Sequence, residues 1–281
     1  MNRIEATFQR LRARGEKALI AYIMAGDPSL HETERLVLEL EQAGADIIEL
    51  GVPFSDPIAD GPVIQKAAER ALRSGTSLRR ILEGVASLRT STQIPIVLMA
   101  YYNTIHALGE ETFCRQAAAA GVDGLIVPDM PPEEDAMLAA SACEGGPVII
   151  YLAAPTSTAS RLRQVARRSQ GFIYYVSLTG ITGAKLTDMD GVRRNVMKIR
   201  NMTPVPVAVG FGIATPRDVA QVAGLADGVI VGSAIVRQIE QHRDDPQMVE
   251  RVGEFVRLLK APTTELNQKA EPRILGASVP T

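Results

Sequence analysis

A chain of 281 residues, 46% of them hydrophobic, can hold one large domain or two ordinary ones around a sizeable core. Its formal net charge of −2, with lysine, arginine and acids interspersed, argues against a nucleic-acid surface. No run approaches the roughly eighteen apolar residues that a membrane span needs.

The N-terminal stretch MNRIEATFQRLRARGEK is charged and amphipathic and lacks an apolar secretion segment. It predicts a helix over 2–14 with Ile4, Phe8 and Leu11 on one face. Ala18–Met24 follows as a strand too apolar to have a wet face. Gly26-Asp27-Pro28 ends it, and Ser29 or Asp27 can cap a helix that runs to about Gln42. Asp46–Leu50 is the second strand. Helices over 62–73 and 77–89 then precede a strand at Ile96–Met99, and a helix over 110–120 precedes Leu125–Val127. The alternation continues with helix 132–143, strand Val148–Leu152, helix 158–169 and strand Phe172–Val176. Helix 189–201 leads to Val205–Val209, helix 215–223 to Val229–Val231, and a last helical region, interrupted near Pro246, reaches about Lys260. Cys114 and Cys143 both fall in helices and read as small buried hydrophobes of a reducing compartment, so a cytoplasmic protein is expected.

Eight nearly continuous apolar strands alternating with helices require a parallel sheet covered on both faces. Three helix-to-strand joints repeat a pattern, Ala43-Gly44-Ala45-Asp46, Ala120-Gly121-Val122-Asp123 and Ala223-Gly224-Leu225-Ala226-Asp227. In each, the glycine suits a left-handed residue that closes the helix. The expected fold is α/β, a (β/α)8 TIM barrel with an extra N-terminal helix, as one domain over 1–262 with a loosely ordered tail at 263–281. A doubly wound open sheet is the alternative; it is disfavoured because the first βα turn lacks G-x-G-x-x-G.

In a barrel, function sits in the loops after the strands' C-terminal ends. Glu49 lies near the end of the second strand, and the proline- and glycine-rich loop beyond it carries Asp56 and Asp60. Glu49, between Ile48 and Leu50, would have its proton affinity raised by desolvation, whereas Asp60 sits in a more polar loop. Two carboxylates in different environments are a recurrent acid–base design. A buried ion pair is the plainer account of Glu49. Tyr174 and Tyr175 close the sixth strand, and one of them must point into the barrel. Glycine-bearing turns follow the last three strands, at 179–183, 210–213 and 232–234. Those after strands seven and eight, with the helix opening at Ser233, suit a phosphate. The three histidines lie far apart, so no metal site is expected. No lysine falls in a predicted strand, and Lys185 reads as a solvated loop charge.

The run Glu49-Leu50-Gly51-Val52-Pro53-Phe54-Ser55-Asp56-Pro57-x-Ala59-Asp60-Gly61-Pro62 closely resembles the signature of the tryptophan synthase α subunit family. The resemblance extends through Gly26-Asp27-Pro28, Val127-Pro128-Asp129, Tyr174-x-x-Ser177-x-x-Gly180-x-Thr182-Gly183, Gly210-Phe211-Gly212-Ile213 and Gly232-Ser233-Ala234, across about residues 5–260. It implies a barrel that cleaves indole-3-glycerol phosphate into indole and glyceraldehyde 3-phosphate. No cofactor is implied on this chain; a pyridoxal-phosphate β subunit, in an α2β2 assembly, would receive the indole. By the same resemblance Glu49 is the acid–base residue, Asp60 faces the indole N–H, and Tyr174 supports the glutamate. Thr182 and Gly183 belong to a loop closing over substrate, Gly212, Ile213, Gly232 and Ser233 to the phosphate site, and Phe211 and Tyr22 to the pocket wall. Asp56 is assigned to coupling with the β subunit. Tyr22 stands where phenylalanine is common, and Leu178 and Thr179 replace a more usual pair. Another phosphate-binding barrel enzyme, or a non-catalytic regulatory partner, are the competing readings.

Overall fold

In a computed structural model of the chain, residues 2–143, 145–177, 188–210 and 212–264 are described. Nine parallel strands form one sheet in the order β5-β4-β3-β2-β1-β9-β8-β7-β6. They are β1 (Ala18–Met24), β2 (Ile47–Gly51), β3 (Ile96–Met99), β4 (Gly124–Ile126), β5 (Val148–Ile149), β6 (Leu152–Ala153), β7 (Ile173–Val176), β8 (Val207–Gly210) and β9 (Gly228–Val231). The sheet closes because β5 and β6 are two halves of one stave, which the sequence reads as a single strand. Ile150 N–H donates to Leu125 C=O at 2.9 Å on one side, and Tyr174 N–H donates to Tyr151 C=O at 3.1 Å on the other. That stave switches neighbours at 150–151, which splits its ladder into two short pieces while making the barrel.

The helices are α1 (Arg3–Arg14), α2 (Leu30–Gln42), α3 (Pro62–Arg73), α4 (Leu78–Leu88), α5 (Tyr102–Leu108), α6 (Glu110–Ala120), α7 (Ala136–Cys143), α8 (Ala159–Arg168), α9 (Met189–Arg200), α10 (Pro216–Ala223), α11 (Ser233–His242) and α12 (Met248–Thr264). The short α5 is not apparent in the sequence. Its seven residues show no full amphipathic period, and its first N–H is bound by the Asp129 carboxylate at 2.9 Å, a partner distant in sequence. None of the helices among the described residues is long and apolar enough to cross a membrane.

Inside the barrel, Ile20, Ile47, Val97, Ile126, Ile150, Phe172, Ala208 and Ile230 pack against Ile4, Phe8 and Leu11 of α1. The extra N-terminal helix therefore plugs the bottom of the barrel, with the Phe8 and Phe172 rings 5.9 Å apart. Burying such side chains contributes about 1.5–3 kcal/mol each. Helix α12 continues through Pro262 to Thr264, and Thr263 is buried, its carbonyl accepting the Lys17 N–H at 3.0 Å. Of the expected tail at 263–281, Thr263 and Thr264 belong to α12, and the rest lies outside the described residues.

The three repeated joints share a device that the glycines alone did not reveal. The Asp46 N–H donates to Leu19 C=O, and its carboxylate accepts the Leu19 N–H at 2.8 Å. Asp123 does the same to Ile96 and Asp227 to Val207, so each aspartate ties the foot of its strand to the neighbouring stave. Gly44 and Gly121 are left-handed as expected, with φ of 99° and 87°. Gly224 is not: it ends α10 at φ −67°, because the additional residue before Asp227 lets the chain turn with right-handed geometry.

Helix α3 lies on the C-terminal side, between the β2 loop and α4, and packs Ile64, Ala67, Ala68 and Ala71 over Tyr22, Met24 and Val236. The Arg70 guanidinium fixes it there, gripping both Asp27 oxygens at 2.8 Å and Glu240 of α11 at 2.9 Å. Asp27 is only 1% exposed. Arg70→Met should therefore destabilise the fold by about 3–5 kcal/mol in denaturant titrations, since it strands a buried carboxylate. A loss below about 1 kcal/mol would show that water replaces the guanidinium.

Candidate active site

The sheet register decides which side chains enter the barrel mouth. Tyr22 of β1 and Glu49 of β2 are paired neighbours, as are Leu152 and Tyr174. Of the two tyrosines the sequence left open, Tyr174 points inward. Tyr175 packs in the outer layer beneath the helices and accepts a hydrogen bond from Asn195 of α9 at 2.9 Å.

Two glycines make room for the phenols. A methyl group at Gly51 would stand 2.2 Å from Tyr22 Oη, and one at Gly210 would stand 2.6 Å from Tyr174 Oη. Each ring thus leans across the next stave where that stave has no side chain. Gly232 backs the other edge of Tyr22, where an added Cβ would lie 3.4 Å from the Tyr22 Cβ. Ser177 Oγ donates to Gly210 C=O at 2.6 Å and steadies the end of β8.

Glu49 is 1% exposed, and neither of its carboxylate oxygens has a hydrogen-bond partner among the described residues. Such a carboxylate cannot stay charged cheaply. Desolvation first, and the charge of Asp60 second, push its pKa up to about 8. Among the described residues no cation pairs with it, so nothing there supports an ion pair at Glu49. Asp60 is half-buried and reaches about 6, raised by desolvation and held down by a hydrogen bond from the Tyr101 hydroxyl. Near neutral pH the site therefore favours a protonated Glu49 beside an ionised Asp60.

Tyr101 is a site residue that the sequence reading missed. Its hydroxyl bonds Asp60, accepts the Ala59 N–H at 2.9 Å, and its ring stacks on Phe54 at 5.3 Å. The available signal was its place, just past the end of the third strand, where barrel chemistry collects. Tyr22 and Tyr174 both have their hydroxyl pKa raised well above the ordinary value, by burial first and then by Glu49 and Asp60. Those couplings place Tyr22, Glu49, Asp60, Tyr101 and Tyr174 around one space.

In the turns after β8 and β9, Gly212 adopts φ 76°, Ile213 is buried, and Gly232 caps α11 without using a side chain. The first-turn N–H groups of α11, starting at Ser233, have no partners within the helix and carry its positive end. Asp56 is on the exposed rim, where Ser55 Oγ donates to it at 2.5 Å. Thr182, Gly183 and Phe211, like Lys185, lie outside the described residues. No group of metal-binding side chains occurs among the described residues.

A closed parallel barrel with two carboxyls of raised pKa at its C-terminal mouth has the architecture of a TIM-barrel enzyme. The model of the tryptophan synthase alpha chain family matches residues 8–264. The chain is 53% identical over 260 residues to the tryptophan synthase alpha chain of Citrifermentans bemidjiense, covering 92% of this chain and 97% of that one. The crystal structure of tryptophan synthase subunit alpha from Legionella pneumophila str. Paris superposes with a TM-score of 0.89 at 37% identity, covering 95% and 100% of the two chains. A chain from the structure of Mycobacterium tuberculosis tryptophan synthase gives 0.86 at 36%, covering 94% and 98%. The chain belongs to the tryptophan synthase alpha chain family. It is a carbon–carbon lyase of tryptophan biosynthesis, cleaving indole-3-glycerol phosphate to indole and glyceraldehyde 3-phosphate.

Proposed function

We propose that Glu49 and Asp60 divide the chemistry of this cleavage between them, with Tyr174 holding the glutamate. The observation that carries the assignment is the burial of Glu49, whose two oxygens have no hydrogen-bond partner among the described residues, beside a second carboxylate of lower pKa. Protonated Glu49 delivers its proton to indole C3, which turns the ring into an electron sink. Ionised Asp60 stabilises the positive charge that develops at the ring nitrogen. The Glu49 carboxylate so formed accepts the proton of the side-chain hydroxyl as the bond to C3 breaks, releasing indole and the aldehyde. General acid–base help of this kind contributes on the order of 10²–10⁴-fold. The far end of the substrate's side chain is anchored by its phosphate at Gly212, Ile213, Gly232 and Ser233, where a helix N-terminus offers backbone N–H groups. Thr182 and Gly183 are assigned to loop closure, and Tyr22 and Phe211 to the pocket wall.

The pH dependence follows from the two carboxyls. Below about 6 Asp60 takes up a proton, and above about 8 Glu49 loses the one it must deliver. A bell-shaped profile of kcat/KM with its maximum near neutrality is expected; a flat profile between those limits would remove the carboxyl pair from the mechanism.

The family implies partnership with a β subunit. We assign the α2β2 assembly, and pyridoxal phosphate on the β subunit with none on this chain, to the working complex in the cytoplasm. The rim of the β2 loop supports a docking role, since Asp56 is exposed and Ile58 beside it is 84% exposed. Indole release measured with and without an added β subunit tests the whole reading: slow alone, stimulated when paired. Asp56→Ala should leave the slow basal rate nearly unchanged and lose most of the stimulation. Equal loss of both rates would place Asp56 in the catalytic scaffold.

A further inference from the structure

Tyr22 does more in this pocket than a wall requires. Its ring is wedged between Gly51 and Gly232 and covered by Ile64, Ala67 and Ala68 of α3, so its hydroxyl has one fixed place at the barrel mouth. A purely apolar wall has no use for that hydroxyl, which makes no hydrogen bond to another described residue. It stands beside Gly51 at the end of β2, and Ile64, four residues past Asp60, packs with its ring, which sets the phenol under the loop that carries Asp60; burial first, and then the charge of Asp60, raises its pKa. From α3, Lys66 and Glu69 are exposed, and Arg70 is taken up by Asp27 and Glu240. From α11, Arg237 is half-buried one residue past Val236, and Glu240 is held by Arg70.

When the indole ring enters, it displaces the water that can solvate a free phenol. A buried donor without an acceptor is costly, so the hydroxyl must then find one. Glu49 begins the reaction protonated, which leaves the Asp60 carboxylate as the strong acceptor at hand. Asp60 has capacity for it: two oxygens offer about four acceptor positions, of which Tyr101 takes one and the ring N–H another.

We propose that Tyr22 is a positioning residue whose hydroxyl donates to Asp60 once substrate fills the pocket, so that two phenols, Tyr22 and Tyr101, hold Asp60 ionised against the ring nitrogen. The proposal rests on the assignment of Asp60 to the ring nitrogen made above. It gives the tyrosine hydroxyl, beyond its ring, a role in setting the pH range over which the lyase works.

The sign follows from which protonation state the bond favours. A donor to the carboxylate stabilises the ionised form, so removing it raises the pKa of Asp60. In Tyr22→Phe the acidic limb of kcat/KM for indole release should move upward by roughly one pH unit from about 6, while the basic limb stays near 8. Activity would fall about tenfold near pH 5.5 and less than about twofold near pH 7.5. Binding of an indolyl alkyl phosphate that lacks the side-chain hydroxyl, followed by calorimetry across the same pH range, should show the same displaced limb without turnover. A uniform loss at every pH, or an unmoved limb in both measurements, would overturn the proposal and leave Tyr22 as wall alone. Asp60→Asn separates the two readings. If that variant keeps the wild-type acidic limb, the assignment of Asp60 falls and this proposal with it. If it loses the limb while Tyr22→Phe leaves it in place, only the role of Tyr22 falls.

Discussion

Glu49→Gln is expected to abolish indole release, by about 10²–10⁴-fold, and at the same time to stabilise the protein. Glutamine keeps the shape of the side chain but can neither deliver nor accept the proton, so the chemical step loses both of its transfers. The stability effect has the opposite sign because the buried carboxyl is a strained choice for this position. Its pKa rises from the ordinary 4.5 to about 8 on folding. Below about 4.5 both folded and unfolded chains are protonated there, and folding gains or loses nothing from it. Between 4.5 and 8 the unfolded chain releases the proton while the folded one retains it, so stability falls as pH rises. A neutral glutamine escapes that fall. The unfolding free energy of the variant relative to wild type should increase by about 2–4 kcal/mol from about pH 5 to about pH 8.5. Activity above about a tenth of wild type would contradict the proton-transfer role, and a pH-independent stability difference would contradict the raised pKa. The combination is the expected signature of a site whose function is held at a cost in stability.

Asp60→Asn carries the second large effect, a fall in kcat of about 10²–10³-fold. In the role proposed for Asp60, the charge it would lose acts on the ring nitrogen only as the ring becomes cationic, so transition-state stabilisation drops while ground-state binding changes little. Affinity for glyceraldehyde 3-phosphate should therefore be nearly unaltered, because the phosphate site proposed above lies at the turns after β8 and β9, away from the β2 loop. An equal loss of product affinity would instead make Asp60 an anchor of the β2 loop. That outcome is physically available: the Ala59 N–H and the Asp60 carboxylate both bond the Tyr101 hydroxyl, so the residue contributes to the shape of its own loop.

The sequence determined the barrel. Alternating apolar strands and amphipathic helices are local patterns, and a parallel sheet with both faces covered is the arrangement that buries them. It also exposed the carboxylate pair, because a glutamate inside an apolar strand and an aspartate in a proline-rich loop are anomalies visible without neighbours. What it could not supply were the relations between staves. The break at Ile150–Tyr151 that closes the barrel depends on which neighbour each backbone group meets, and no residue type encodes it. The three aspartates of the helix-to-strand joints were visible as a repeat, yet their grip on Leu19, Ile96 and Val207 belongs to the paired sheet. Tyr174 rather than Tyr175 enters the mouth because register, fixed by the whole closed sheet, sets the inward side. Tyr101 became part of the site only where the end of β3 passes beneath the loop that carries Asp60. The pKa values divide along the same line. Residue type sets the starting values, but that neither Glu49 oxygen has a hydrogen-bond partner among the described residues is a property of packing, and burial is what raises its pKa.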